Sequence, residues 1–264
     1  MMFLKAVSAA RRVYPVVTDK LSLYLDAYNL DSYSGSGGTW TDLSNSAYSV
    51  TITGPTWTVS GGRRYFEFDG VNDYMVGSSD VTHFDLTTSG NTWSFWIYYV
   101  TTPAWLDAIM ITDLRTTGGA RDRIIDIDNR NSSVSGGNGN GYQYTIYDAG
   151  PPSNDEFILK AETVPTGTWI HLSFLFIYTT TTTGTQKIYK DGVEIATKAQ
   201  TLAAGSSWTA MNSFHKPFFG AININGTLGR FNNIRLGEVL HYKKSLTATE
   251  VSNNYNSTKT NYGL

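Results

Sequence analysis

From Leu21 onward apolar residues return at every second position in short runs, and this period of two constrains the fold more than any other feature. LSLYLD (Leu21–Asp26) sets Leu21, Leu23 and Leu25 on one face. RYFEFD (Arg64–Asp69) sets Phe66 and Phe68 on one side, with Tyr65, Glu67 and Asp69 on the other. TWSFWIYYV (Thr92–Val100), DAIMITDL (Asp107–Leu114), DRIIDID (Asp122–Asp128), GYQYTIYD (Gly141–Asp148), FILKAE (Phe157–Glu162) and WIHLSFLFIY (Trp169–Tyr178) continue the pattern. Alternating runs bounded by Gly, Asn, Asp and Thr predict strands. Many short strands at this spacing predict a sandwich or barrel. KIYKDGVEIATK (Lys187–Lys198) predicts a hairpin turning at Asp191-Gly192, because a type I′ turn needs positive φ at both central positions. The low-complexity thread TTTTTG (Thr179–Gly184) leads into it as an exposed loop tip.

Helical spacing is confined to the two ends. Thr247-x-x-Glu250 is a capping-box pattern, predicting a short helix up to about Lys259. At the start, Phe3, Val7, Ala10 and Tyr14 fall at helical spacing until Pro15. Residues 1–20 therefore read as an amino-terminal arm, either a docking or oligomerisation segment carried by Phe3, Val7 and Tyr14 or a loosely ordered terminus, and residues 21–264 as one domain.

Composition narrows the function classes. Of 264 residues, 41% are apolar, enough for a sizeable core, and only 16% are charged, against about a quarter in ordinary domains. The formal charge of −2 gives no pull towards nucleic acid or an acidic membrane. Cysteine is absent, so disulfides and thiolate metal sites are excluded. No stretch approaches the ~18 apolar residues of a membrane span. Lys5, Arg11 and Arg12 interrupt the first residues where an export signal would be apolar or small, so the chain reads as soluble without such a signal.

The order of motifs then becomes informative. LSLYLDAYNLDSYSGSGGTWTDLSNSAYSVTITGPTW, RYFEFDGVNDYM, TWSFWIYY, TGTWIHLSFLFI, KIYKDGVEI and IRLGEVLHYKKSLTATEV together resemble the laminin-G-like branch of the concanavalin A-like lectin/glucanase superfamily, over about Leu21–Leu264. The first and last motifs are most similar to those of structural proteins of tailed phages and other viruses. The resemblance implies an all-β fold: a two-sheet antiparallel jelly-roll sandwich with a short C-terminal helix.

Candidate sites are few. In FDGVNDYM (Phe68–Met75), Asp69 and Asp73 offer oxygens for calcium, but Asp-Gly and Asn-Asp also suit a tight corner, which is the reading taken. Asp126 and Asp128 alternate onto one strand face of DIDNRN, with Asn129 and Asn131 in a loop beyond, as a second calcium candidate or a solvated strand end. Glucanases of the superfamily use Glu-x-Asp-x-x-Glu; here Glu67, Asp69 and Asn72 stand in those places, and asparagine cannot protonate a leaving group. No catalytic residues are assigned and no cofactor is required, with Ca2+ an optional ligand. The histidines His83, His171, His215 and His241 lie apart, and His171 reads as a hydrogen-bonded strand residue. Trp57, Trp105, Trp208 and the HKPFF run with Phe218 sit near Gly, Pro or Ser; they read as loop aromatics for stacking on sugars or for a subunit interface.

Two functions follow as expectations. The first is a non-enzymatic virion structural protein, a capsid decoration, cement or fibre-type module at the particle surface. It would assemble in host cytoplasm, contact other virion proteins and form a homo-oligomer. The second is a carbohydrate-binding module or adhesin, with or without calcium.

Overall fold

The computed structural model describes residues 15–44, 46, 48–78, 90–103, 107–111, 125–131, 140–147, 156–202, 216–224 and 227–264. The first strands are β1 (Leu21–Asp26), β2 (Thr39–Thr41), β3 (Ser49–Thr53), β4 (Thr56–Ser60), β5 (Arg63–Glu67) and β6 (Tyr74–Gly77). Then come β7 (Asn91–Tyr99), β8 (Asp107–Ile111), β9 (Ile125–Asn131), β10 (Asn140–Tyr147), β11 (Glu156–Thr163) and β12 (Trp169–Tyr178). The remainder is β13 (Thr183–Lys190), β14 (Val193–Thr201), β15 (Phe218–Phe219), β16 (Ile222–Ile224), β17 (Thr227–Gly229), β18 (Ile234–Tyr242), helix α1 (Ala248–Thr258) and a 3-10 turn (Lys259–Tyr262).

Two antiparallel sheets carry the fold. The first runs β14-β13-β12-β7-β18-β5-β4, and β1 shares with β5 the far side of β18. The second runs β11-β10-β9-β8-β15-β6-β3-β2, and β16 and β17 form a separate ribbon. Inward residues of both sheets, among them Phe66, Trp93, Phe95, Phe174, Met110 and Tyr144, meet in one buried cluster between them. This is the predicted jelly-roll sandwich. The Asp191-Gly192 turn forms with φ of 50° and 82°, joining Lys190 to Val193.

The first sheet is apolar on its other face as well, so a second layer must cover it. Helix α1 lies there, started by the predicted capping box of Thr247 and Glu250. Its Val251 packs with Tyr24, Leu175, Leu240 and Tyr242, and Val16 from the arm joins the same cluster. Polar bonds fix the position: Trp96 Nε1 donates to Thr258 Oγ1 at 2.7 Å, and Asn254 Nδ2 to Tyr242 Oη at 2.9 Å. The backbone N–H of Val17 donates to Asn254 Oδ1 at 2.8 Å, so the last residues of the arm are part of the domain. Phe3, Val7 and Tyr14 lie outside the described residues.

Several expectations are corrected. Strand β9 continues through Asn129 and Asn131 instead of leaving them in a loop beyond it, because Asn131 still pairs with Asn140. Trp57 is a strand residue of β4, opposite Phe66, and Phe218–Phe219 bridge β6 to β8. His171 is buried in β12, but neither ring nitrogen has a hydrogen-bond partner; the ring lies between Trp96 at 5.2 Å and Tyr255 at 6.1 Å. Burial pushes its pKa down to about 3, so it stays neutral where a charge would have no counterpart.

Under the helical layer two carboxyl groups meet. Asp26 of β1 is opposite Glu238 of β18, and both are buried. Asp26 accepts from the Tyr28 N–H and the Tyr24 hydroxyl, whereas Oε1 of Glu238 has no partner. Tyr24, Tyr242 and Tyr262 face this pair, with Arg64 the nearby cation. Burial raises both carboxyls, and the Asp26 charge raises Glu238 further. A raised folded-state pKa means that the folded chain holds protons the unfolded chain has released. Stability therefore falls as pH climbs above the unfolded carboxyl range, by up to about 1.4 kcal/mol per pH unit for each proton. Glu238→Gln is expected to flatten the decline in urea-unfolding free energy between pH 5 and 8, and an unchanged slope would contradict this reading. Gly237 lies under Tyr262, where an added Cβ would overlap the ring. Gly237→Ala is expected to cost about 1–3 kcal/mol in the same urea titration.

Candidate functional site

At one end of the first sheet the outer face is not covered by α1. Register fixes what stands there. Inward, Phe66, Leu236, Ile97 and Ile170 lie side by side across β5, β18, β7 and β12, all in the core. One step along each strand the side chains point to the opposite face. Glu67 is opposite Arg235, Arg235 opposite Tyr98, and Tyr98 opposite Trp169, a transverse row across four strands.

Arg235 is the centre of the row. Its Nε and Nη2 both lie 2.8 Å from Glu67 Oε1. Its guanidinium carbon sits 4.7 Å from the Tyr98 ring centroid and 5.1 Å from that of Tyr65. Burial opposes the charge, but the Glu67 hydrogen bond and negative charge more than offset it, and the Arg235 pKa rises. A guanidinium held on two rings and one carboxylate is fixed before any ligand arrives, which removes an ordering cost from binding.

Trp169 and the C-terminal turn complete the walls. The Trp169 ring is 5.5 Å from Tyr65, 5.7 Å from Tyr98 and 4.8 Å from Tyr262. Tyr262 stacks on Trp96 at 4.3 Å, and its carbonyl accepts from Arg63 Nε at 2.8 Å. Between the turn, the β4–β5 hairpin and exposed Gly167 and Thr168 lies an open groove of about 370 Å³, lined by Arg63, Tyr65, Tyr98, Trp169, Arg235 and Tyr262. That is within the size of small-molecule sites.

The residues singled out in the sequence are elsewhere. Trp57 is half-buried, donates Nε1–H to the Ala27 carbonyl at 3.1 Å and leans on Tyr33 at 5.8 Å, so it wedges the sandwich edge shut. Phe218 is in the other sheet, stacked on Tyr74 at 6.4 Å. Trp105 and Trp208 lie outside the described residues. Asp69 Oδ1 accepts from the N–H groups of Val71 and Asn72, and Asp73 Oδ2 accepts from Asp69 N–H. Hydrogen bonds from the backbone, that of Val71 foremost, lower the Asp69 pKa, and burial raises that of Asp73. FDGVNDYM is therefore a corner whose carboxylates bind backbone. Asp126 and Asp128 are mid-strand positions of β9, opposite Thr145 and Gln143, and their side chains lie outside what is described. Among the described residues no three His, Asp or Glu side chains converge on one point. Glu67 and Asp69 do not form a carboxylate pair on one strand: Glu67 binds Arg235, and Asp69 lies beyond the end of β5.

The aromatic residues that stand near Gly, Pro or Ser in the sequence are not those of the groove, which uses outward positions of strands. A signal was present. Tyr98 and Trp169 are aromatic on the faces opposite Ile97 and Ile170, which marks strands covered on both sides.

The family described as the concanavalin A-like lectin/glucanases superfamily, in its laminin-G-like form, matches residues 69–252. No curated protein sequence matches. Among solved structures, the receptor-binding domain of botulinum neurotoxin mosaic serotype C/D superposes with a TM-score of 0.59 at 12% identity, covering 90% of this chain and 51% of that one. The binding domain of Paraclostridial Mosquitocidal Protein 1 gives 0.59 at 13%, covering 90% and 52%. Trypanosoma rangeli sialidase gives 0.56 at 14%, covering 94% and 35%. The chain thus spans about half the length of the receptor-binding domains it matches, and the likeness is one of fold. With the family pattern running through most of the chain and the two-sheet architecture shared by these structures, this protein belongs to the laminin-G-like family of the concanavalin A-like lectin/glucanase superfamily.

Proposed function

We propose that this chain is a non-catalytic binding module that holds a saccharide in the groove beside Arg235. The observation that carries the reading is the fixed guanidinium: Glu67, Tyr65 and Tyr98 orient it at the floor of an open groove walled by Trp169 and Tyr262. Sugars present hydroxyl oxygens on one side and C–H groups on another. A planar donor fork beside aromatic rings matches both, and the fork is geometrically specific in a way that an ammonium is not. The family includes lectins, and the neurotoxin and mosquitocidal neighbours are named as binding domains, which supports a binding role. Among the described residues that line the groove none is Asp or Glu, and Glu67 beside it is held by Arg235, which favours binding over glycoside hydrolysis. Display on a particle surface, with the arm residues Phe3, Val7 and Tyr14 docking it to other virion proteins, is the setting that the viral resemblance of the first and last motifs supports. Copurification with assembled virions tests that setting.

Binding is tested on a glycan array followed by calorimetry. A saccharide is expected to bind and be recovered uncleaved. Arg235→Ala is expected to weaken it at least about tenfold, or ~1.4 kcal/mol, with the folded baseline retained. Unaltered affinity in that variant, or release of hydrolysed product, would defeat the reading.

A further inference from the structure

The Tyr262 wall of the groove also covers something on its inner side. A register shift between Leu236 and Glu238 in β18 sets Glu238 opposite Trp96 on the outward face, while Val239 joins the core. Tyr262 stacks on that Trp96 at 4.3 Å and lies over Gly237, the residue before Glu238. Two polar atoms are thereby buried without a hydrogen-bond partner, Oη of Tyr262 and Oε1 of Glu238. The groups that face Glu238 are Asp26 and Tyr24 of β1, Tyr242 of its own strand and Tyr262 of the turn; Trp96 of β7 is neutral. Arg64 acts on Asp26, but its Nη1 donates to the Tyr28 carbonyl. Helix α1 contributes Glu250, which acts on Tyr242, and Tyr255, stacked on Trp96 at 5.7 Å. His171 lies across Trp96, and burial keeps it neutral down to about pH 3. Arg63 and Leu264, with its carboxylate, line the groove side of the turn. An ionised Glu238 would thus sit beside another acid with its Oε1 unpaired, and such a charge is stable only in contact with water. The turn is the short element above it, tied down by the Arg63 bond and by ring stacks on Trp96 and Trp169.

From this arrangement we infer that residues 259–264 are a proton-controlled wall of the groove. The turn closes over Glu238 while the Asp26–Glu238 pair is uncharged and lifts when the pair ionises, so protons and groove ligand favour the same closed state. In the closed state burial holds both carboxyls above their ordinary range, Asp26 at about 6. In the open state they return towards that range and release protons. Opening is therefore favoured as pH rises from the ordinary carboxyl range towards the raised closed-state values, by up to about tenfold per pH unit for each proton. By reciprocity a ligand that needs the wall slows its opening. The inference rests on the saccharide reading above and adds how that site is regulated.

The test is amide hydrogen exchange of the full chain at about pH 5 and about pH 8, with labelling times scaled to the chemical exchange rate. Amides of residues 259–264 are expected to be less protected than those of β12 at both values, and to lose at least about tenfold in protection at the higher one. Glu238→Gln is expected to keep its low-pH protection of the turn at pH 8. A saccharide found on the glycan array, supplied at about ten times its Kd, is expected to slow turn exchange at pH 8 by about tenfold. Turn protection that is the same at both pH values, or that Glu238→Gln loses as fully as the parent chain, overturns the inference and leaves the saccharide reading standing. Equal protection of the turn and β12 throughout overturns it too, since the protons would then be released only by global unfolding. A saccharide that binds without slowing the turn overturns the link between wall and ligand. If no saccharide binds, the saccharide reading fails, and the pH profile of exchange, which needs no ligand, decides for the turn. If Glu238→Gln does not fold, Asp26→Asn takes its place with the same expectation.

Discussion

The structure depends on a sheet that is apolar on both faces. One face of the β14–β4 sheet closes the sandwich core; the other carries Tyr65, Trp96, Trp169, Leu175, Leu240 and Tyr242, too much apolar surface to leave in water. The polypeptide that covers it is α1, the 3-10 turn and the segment around Val16. That cover is shorter than the sheet is wide. Its end leaves Arg235, Tyr98 and part of Trp169 uncovered, and the groove is the step between covered and uncovered face. Fold and site thus have one cause.

Polar groups in the covered layer make its position unique. Apolar contact alone would let a helix slide; Trp96 to Thr258 and Asn254 to both Tyr242 and Val17 allow one register. The same layer also contains groups that solvent would charge: Asp26 and Glu238 held towards their neutral forms, and His171 neutral without a partner. Such groups favour the closed arrangement only while uncharged, so the layer that builds one wall of the groove is also the layer most sensitive to pH.

What could be read from the sequence was local. The capping box at Thr247 and Glu250 and the Asp191-Gly192 turn involve a few consecutive residues, and both form as expected. Long alternating strands such as Trp169–Tyr178 were legible because each face repeats several times. Strands of two or three residues, as at Phe218–Phe219 and Thr39–Thr41, repeat nothing and gave no signal. Trp57 was misplaced because Gly54-Pro55 precedes it, and a strand begins immediately after that turn. The groove itself was not legible. Arg63, Tyr98, Trp169, Arg235 and Tyr262 are scattered through the chain, and only the register of β5, β18, β7 and β12 sets them together. Register across strands distant in sequence is a tertiary property, fixed by the core residues alternating with these.

The central claim, that the uncovered end of this sheet face is where a ligand sits, is tested most directly by an amide and side-chain chemical-shift map recorded while a saccharide identified on the glycan array is titrated in. The account predicts shifts concentrated at Arg63, Tyr98, Trp169 Nε1, Arg235 Nε and Tyr262–Leu264, with the sheet containing Phe218 and the Asp69–Asp73 corner unmoved. Shifts confined to that other sheet or to the corner, with the Arg235 and Trp169 signals unchanged, would contradict it.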